Sequence, residues 1–215
     1  MKKKNYSCVI YDLDGTLIDS SLDLANAINF ARKEQDLKPI TVTEVIAYIG
    51  GGAKNLVNLC FHEKNSDKDR ALADFKKYYA ENCVVETTFY EGVLETIKEL
   101  HNRGIVQAVA TNKPENLSKP IIEKLGLNQF MSIIIGGENK QKCELKPHPA
   151  TLEYIARKFN KDINECLMVG DNHTDIEAAH NCNMDVAFCA FGLGEHNKLD
   201  YTYRISKFSK LLQIV

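Results

Sequence analysis

The sequence predicts an α/β protein built on a parallel sheet, with a separate helical unit inserted close to its N-terminus. Two observations indicate this class. Short apolar runs of strand length alternate with segments of helical periodicity, which is the order that produces parallel sheets. About ninety residues also separate the first polar cluster from the next apolar strand, which is far more than a connecting loop requires. We therefore expect a second folding unit between them.

The first strand is predicted at Cys8–Ile10, and two carboxylates spaced two residues apart follow it. These are Asp12 and Asp14, after which Gly15 supplies a turn and Thr16 a hydroxyl. An aspartate at this position is suited to attack phosphorus, with a second aspartate to carry the proton. The same short string also occurs in plain turns and in calcium loops, so by itself it leaves these alternatives open.

The inserted unit is predicted to be helical. Residues 22–31 fit a helix with one apolar face, for which Ser20 or Ser21 is available as N-cap. The residues on that face are Leu24, Ala27, Ile28 and Ala31. Residues 43–49 and 72–79 also fit helices better than alternating strands.

A run of three glycines stands inside the insert, directly before a helical stretch. Backbone amides of Gly51 and Gly52 would be exposed at the helix N-terminus, an arrangement that binds anions, and Lys54 would add a cation in the first turn. The alternative is a flexible turn between helices with a solvated lysine. The sequence leaves both interpretations open.

Strands and helices alternate regularly after the insert. Strands are predicted at residues 105–110, 133–135, 166–169 and 186–189, and helices at 93–102, 114–125, 149–160 and 175–182. A polar turn with Thr111 and Asn112 ends the first of these strands, Lys146 stands in a loop with two prolines, and Asp171 and Asp175 follow the strand at 166–169. Because ligands bind beyond the carboxyl ends of parallel strands, we expect all these clusters to meet on one edge of the sheet.

These clusters resemble, in order, the four signatures of the haloacid dehalogenase superfamily. The matching strings are Asp12-x-Asp14-Gly15-Thr16, then Thr111, then Lys146, then Gly170-Asp171-x-x-x-Asp175. The resemblance spans nearly the whole chain. It implies a Rossmann-like, doubly wound core formed by residues 1–18 and 89–215, and a helical-bundle cap domain formed by residues 19–88.

The resemblance also implies a magnesium-dependent phosphatase with an aspartyl-phosphate intermediate. Asp12 would be the nucleophile and Asp14 the general acid and base, while Thr111, the Asn112 amide and Lys146 would hold phosphoryl oxygens. Magnesium would be bound by the carboxylates of Asp12 and Asp171 and by the backbone carbonyl of Asp14. Asp175 would lie close by, binding the metal through water or orienting Lys146.

The glycine-rich loop and the segment 111–114 are similar to those of phosphoglycolate phosphatases, and the carboxylate of 2-phosphoglycolate would suit an amide-and-lysine pocket. Phosphatases of pyrophosphate and of sugar phosphates share much of this pattern, and a β-phosphoglucomutase-like phosphomutase also stays open. Dehalogenases and phosphonate-cleaving relatives lack the second acid, so Asp14 counts against them. A receiver-like phospho-aspartate module fits poorly, because its nucleophile would lie on a later strand and it has no insert of this size.

Composition sets the remaining expectations. The 215 residues carry 27 Lys and Arg against 29 Asp and Glu, a formal net charge of −2 that offers no general attraction to nucleic acid. No apolar run approaches the ~20 residues that span a bilayer, and no secretory segment is apparent. Seven scattered cysteines without a Cys-x-x-Cys pair indicate a reducing compartment. We expect a cytoplasmic monomer or homodimer acting on a small phosphorylated metabolite.

Overall fold

The computed structural model describes residues 4–139, 141 and 143–215, and its core is a six-stranded parallel sheet. The strands are β1 Cys8–Tyr11, β2 Ile18–Asp19, β3 Thr88–Phe89, β4 Val106–Pro114, β5 Ile133–Gly137, β6 Cys166–Gly170, β7 Asp185–Cys189 and β8 Tyr203–Ile205. The large sheet has the order β5-β4-β1-β6-β7-β8, while β2 and β3 form a separate antiparallel pair. Strand β1 therefore lies in the interior of the sheet, between β4 and β6.

Helices cover both faces of this sheet. The helices are α1 Ser21–Lys33, α2 Val42–Ile46, α3 Ala53–Cys60, α4 Lys68–Asn82, α5 Val93–Asn102, α6 Glu115–Lys124, α7 Ala150–Lys158, α8 His173–Asn181 and α9 Leu211–Ile214. Val9 and Tyr11 pack into one apolar cluster with α5, α6 and α9, whereas Cys8 and Ile10 pack into another with α7 and α8. A parallel strand buried on both faces needs a continuous apolar run, which β1 has. The predicted doubly wound α/β fold is confirmed.

Helices α1 to α4 form the inserted helical unit. The predicted apolar face of α1 is buried, since Leu24, Ala27, Ile28 and Ala31 all lie in the core. Helix α2 begins at a capping box, in which Thr41 and Glu44 satisfy each other's backbone amides. The three helices predicted here are confirmed as α1, α2 and α4, and the helical stretch expected after the glycines is α3.

The chain enters and leaves this unit through the short antiparallel pair β2 and β3. Asp23, near the start of α1, is buried and its carboxylate accepts hydrogen bonds from the backbone amides of Val85, Glu86 and Thr87. This clamp holds the two connecting segments together. The predicted domain limits fall inside the β2 and β3 pair, and the division into core and cap stays a prediction.

One local prediction was wrong, and a second was confirmed in position but not in its hydrogen bond. Residues 111–114 were expected to form a turn, but β4 continues through them to Pro114, which pairs with Gly137 of β5 after a shift in register. Ser20 does occupy the N-cap position of α1, yet its hydroxyl makes no capping bond and donates to Asp14 instead, at 2.5 Å. Both segments lie at the carboxyl edge of the sheet, where polar residues have partners that local sequence does not reveal.

Within the described part of the chain, no helix is both long enough and apolar enough to cross a bilayer.

Candidate active site

The polar clusters converge at the carboxyl ends of the three central strands β1, β4 and β6. Asp12 directly follows β1, Thr111 and Asn112 lie in the C-terminal half of β4, and Asp171 directly follows β6. All of them are buried, as are Lys146 and Asp175. Burial of so many charged groups costs free energy unless the groups are paired. Their contacts therefore indicate which chemistry this edge of the sheet can perform.

Lys146 lies between two aspartates. Its Nζ is 2.8 Å from Oδ1 of Asp12 and 2.6 Å from Oδ1 of Asp175. The second oxygen of Asp175 accepts from the backbone N–H of Asn172, which also caps helix α8. Asp175 therefore contacts both Lys146 and the helix N-terminus, and its role toward Lys146 stays a prediction.

Asn112 fixes the loop that carries Lys146. Its side-chain oxygen accepts from the Lys146 backbone N–H at 2.8 Å, and its side-chain nitrogen donates to the Lys146 carbonyl at 2.8 Å. The same nitrogen donates to the carbonyl of Gly50 in the cap, at 2.9 Å. Asn112 thus joins a core loop to the glycine-rich segment, a function that the sequence did not predict for its side chain.

Among the residues that the structure describes, Asp171 is held by neutral donors only. Thr16 donates its hydroxyl to Oδ1 at 3.0 Å, and the backbone amides of Leu193 and Gly194 donate to Oδ2. Gly15, with φ of +84°, lies so close that a Cβ there would be 2.1 Å from Asp171 Oδ2. Any larger residue at position 15 would therefore clash with the acid and would also be strained in the left-handed region.

Burial and the neighbouring charges shift the pKa values of the charged groups in this site. Burial raises the pKa of Asp12 to about 6, with Lys146 opposing the shift and Asp175 adding to it. Burial together with the charges of Asp12 and Asp175 raises the pKa of Asp171 to about 8. Burial alone would lower the pKa of Lys146, but the two aspartates outweigh it and raise that pKa above the ordinary value. The site thus holds more negative charge than Lys146 neutralises.

A divalent cation fits this imbalance. Carboxylate oxygens of Asp12, Asp171 and Asp175 lie within 4.8 Å of one another, and such hard oxygen donors are the ligands that magnesium prefers. Asp175 already has a cationic partner in Lys146. No lysine or arginine of residues 4–139, 141 and 143–215 pairs with Asp171, so its charge is the one that a metal would compensate.

Asp14 belongs to a second polar network. Both of its oxygens accept from Lys113 Nζ, at 2.9 and 3.0 Å, and Ser20 donates to one of them. Lys113 is buried, and it also donates to the hydroxyl of Tyr79 in helix α4 at 2.8 Å. Sequence reasoning missed this lysine. Its only signal was its position directly after Thr111 and Asn112.

A cavity that is partly open to solvent lies between this edge and helices α1, α3 and α4. Its polar lining includes Asp12, Asp14, Thr111, Asn112 and Lys113, and its apolar lining includes Leu24, Leu56 and Phe75. Of the cap residues predicted to bind substrate, Gly52 lines the cavity. Gly51 and Lys54 are exposed and lie outside its lining, so their role stays a prediction.

Comparison with known proteins defines the class. The model of the haloacid dehalogenase-like hydrolase family matches residues 9–189, and the chain belongs to that family. The match includes the four signatures and the inserted helices between the first two.

Individual relatives show which proteins of this family the chain resembles. The chain is 31% identical to the phosphoglycolate phosphatase of Mannheimia succiniciproducens, over 98% of both chains, and 33% identical to that of Colwellia psychrerythraea, over 89% and 88%. The crystal structure of a predicted phosphoglycolate phosphatase from Haemophilus somnus 129pt superimposes with a TM-score of 0.90 at 31% identity, covering 97% of both chains. The protein is a phosphatase of this family, a phosphoric monoester hydrolase similar to phosphoglycolate phosphatases.

Proposed function

We propose that this enzyme is a magnesium-dependent phosphatase that hydrolyses 2-phosphoglycolate through an aspartyl-phosphate on Asp12. The observation that carries the proposal is the cavity between core and cap, in whose lining Asp12 and Asp14 stand together. The names of the relatives described above support the choice of ester.

Asp12 would attack phosphorus directly. A carboxylate is nucleophilic at neutral pH without a separate base, and Lys146 at 2.8 Å holds it in one orientation. The same ammonium group, the Thr111 hydroxyl and the backbone amide of Asn112 would hold the phosphoryl oxygens as charge moves onto them. Thr111 lines the cavity and accepts a hydrogen bond from the Lys113 backbone N–H, so its hydroxyl hydrogen can point to a ligand.

Asp14 would handle the protons. In its protonated form it would donate a proton to the departing alkoxide, and the carboxylate that results would then take a proton from the water that hydrolyses the aspartyl-phosphate. Its carboxylate is held from two sides, by Lys113 and by Ser20, so its direction is fixed while the cap covers the site. Preorganisation of this kind removes much of the entropic cost of proton transfer.

The carboxylates of Asp12 and Asp171 and the backbone carbonyl of Asp14 would hold magnesium, with Asp175 adjacent. When bound, the ion would neutralise phosphoryl charge and so permit a carboxylate to approach phosphorus. Asp171 is kept in place for this by Thr16 and by two backbone amides, which is the type of support that fixes metal ligands.

The cap would supply specificity and exclude water. Gly50 accepts a hydrogen bond from Asn112, so the glycine-rich loop lies against the phosphate-binding edge. Closure of the cap over the reacting groups would exclude water and so strengthen their electrostatic interactions.

A panel of phosphate esters tests the choice of substrate. With magnesium present, we expect kcat/KM for 2-phosphoglycolate to exceed that for pyrophosphate, glucose 6-phosphate and β-glucose 1-phosphate by about tenfold or more, because the hexose phosphates are bulkier and pyrophosphate carries no carboxylate. Phosphate release is the measurement. A preference for pyrophosphate or a hexose phosphate would replace the proposed substrate. Conversion of β-glucose 1-phosphate to its isomer would indicate a phosphomutase.

Lys54 tests the carboxylate-binding loop. If Lys54 binds the substrate carboxylate, Lys54→Ala should lower kcat/KM for 2-phosphoglycolate by roughly tenfold to a hundredfold, the value of one charge-assisted hydrogen bond. Hydrolysis of p-nitrophenyl phosphate, which presents no carboxylate, should be unchanged. Lys64→Ala, which removes another exposed cap lysine, is the matched control. Equal effects on both esters, or no effect on either, would leave Lys54 a solvated lysine.

A further inference from the structure

Lys113 is a buried cation with three acceptor atoms within hydrogen-bond distance. Its Nζ lies 2.9 and 3.0 Å from the two oxygens of Asp14 and donates to the hydroxyl of Tyr79 at 2.8 Å. The exposed fraction of the Lys113 side chain is 5%. Water therefore cannot readily replace a lost partner, and the direction of the ammonium group depends on all three acceptors.

Tyr79 reaches this lysine from the cap. It lies in helix α4, it is fully buried, and its ring stacks on that of Phe75 with 5.5 Å between centroids. Lys113 Nζ also lies 4.5 Å from the centre of the Tyr79 ring. The tyrosine is thus fixed by its own helix, and its hydroxyl presents a defined acceptor to a residue of strand β4.

Asp14 is therefore reached from three parts of the chain. Ser20 contacts it from the segment that enters the cap, Lys113 contacts it from β4, and Tyr79 acts on it through Lys113. Only the last of these contacts requires helix α4 to lie over the core. Separation of the two would remove the Tyr79 acceptor and leave the Lys113 ammonium group one partner short.

We propose that Tyr79 is a positioning residue whose hydroxyl, by holding Lys113, sets the direction of the Asp14 carboxylate when the cap covers the site. The proposal rests on the proposed function, in which Asp14 transfers the protons. It links closure of the cap to readiness of the acid: an open cap leaves Asp14 less well aligned, so proton transfer is efficient only over an enclosed substrate. Tyr79 itself need not touch the substrate.

Tyr79→Phe isolates this effect, because it removes the hydroxyl and keeps the ring that stacks on Phe75. The first half-reaction needs the acid strongly for alkyl esters and weakly for aryl esters, whose leaving groups depart without a proton. We expect kcat/KM to fall by about tenfold for 2-phosphoglycolate and glycerol 2-phosphate and to stay within about twofold for p-nitrophenyl phosphate. The second alkyl ester makes the result independent of the physiological substrate.

Tyr78→Phe is the matched control. It makes the same chemical change one residue away on α4, in a ring that stacks on Phe30 rather than contacting Lys113, and should leave both classes of ester unchanged. Thermal melting of both variants shows whether the fold is retained. A loss in Tyr79→Phe that is equal for alkyl and aryl esters, or absent for alkyl esters, would overturn the positioning role.

A second variant tests the route through Lys113. Lys113→Met should also slow alkyl esters selectively, and adding Tyr79→Phe to it should cause no further loss, because the hydroxyl then has nothing to hold. Additive losses would overturn the proposal. Asp14→Asn separates the role of Tyr79 from the proposed function on which it rests. If Asp14→Asn slowed alkyl and aryl esters equally, the proton-transfer role of Asp14 itself would be wrong.

Discussion

Asp12→Asn is expected to lower phosphate release by about a thousandfold or more while the protein stays folded. An amide cannot form an acyl-phosphate, so the first chemical step is lost. Rapid quenching in acid followed by intact-protein mass spectrometry should detect a phosphorylated wild-type enzyme and no adduct on the variant. Peptide mapping should locate the adduct at Asp12.

The stability of this variant supplies its control. Because burial raises the pKa of Asp12 to about 6, protonation of this group favours the folded state; that contribution is complete below the unfolded value near 3.8 and is lost as pH rises through about 6. At about pH 8 the ionised Asp12 carboxylate therefore lowers the stability of the folded protein, and a neutral amide at this position does not. Without metal, the melting temperature of Asp12→Asn should equal or exceed that of the wild type at this pH.

The exposed Asp200 offers the matched substitution, since Asp200→Asn makes the same change away from the cavity and should alter neither activity nor melting. Substantial turnover in Asp12→Asn, or an adduct found on a different residue, would contradict the nucleophile assignment. Loss of activity supports the nucleophile assignment only if the variant is folded. Melting and activity are therefore measured on the same preparation.

The sheet and its catalytic edge could be predicted because they depend on short-range patterns. A strand buried on both faces must be apolar throughout, as Cys8–Tyr11 is. The polar residues that bind ligands therefore follow the carboxyl end of the strand. The predicted positions of Asp12, Asp171 and Lys146 thus needed only the strand ends and the order of the elements. The roles of these residues are a separate matter and stay proposals.

Other features depend on contacts between distant segments. Strands β2, β3 and β8 have only two or three residues, too few for a periodicity to be visible. The chain continues as a strand to Pro114 because β5 offers a partner there, 23 residues further along at Gly137, whereas local sequence suggested a turn.

The cap shows the same limit. Lys54 was chosen because it follows three glycines at the start of a helix, but which side chains enter a cavity depends on how that helix sits over the core. The structure places Lys113, from the core strand, inside the cavity and Lys54 outside its lining. Lys113 lies on a strand, where side chains alternate between the two faces of the sheet. Its place directly after Thr111 and Asn112 therefore does not show that its side chain enters the cavity.

Asp171→Asn is expected to raise the magnesium concentration needed for half-maximal activity by about a hundredfold, and Asp175→Asn by much less. Asp171 has no cationic partner in the described part of the chain, whereas Asp175 is paired with Lys146 at 2.6 Å. A metal therefore gains more from the charge of Asp171. Titrating magnesium against phosphate release, after removal of bound metal with a chelator, measures both variants.

The raised pKa of Asp171 predicts how binding depends on pH. Its protonation stabilises the metal-free fold fully below the unfolded value near 3.8, and this stabilisation is lost as pH rises through about 8. Magnesium must displace that proton, so its apparent affinity should rise by up to about tenfold per pH unit below pH 8 and then level off.

Melting temperature gives a readout that does not depend on turnover. The magnesium-induced increase in the wild type should be larger at about pH 8.5 than at about pH 6.5, because the competing proton is absent at the higher pH. In Asp171→Asn the increase should be small at both values, since neither the proton nor the charge remains. An equal magnesium response in the two proteins, or a wild-type response that does not change with pH, would show that the metal does not bind through Asp171.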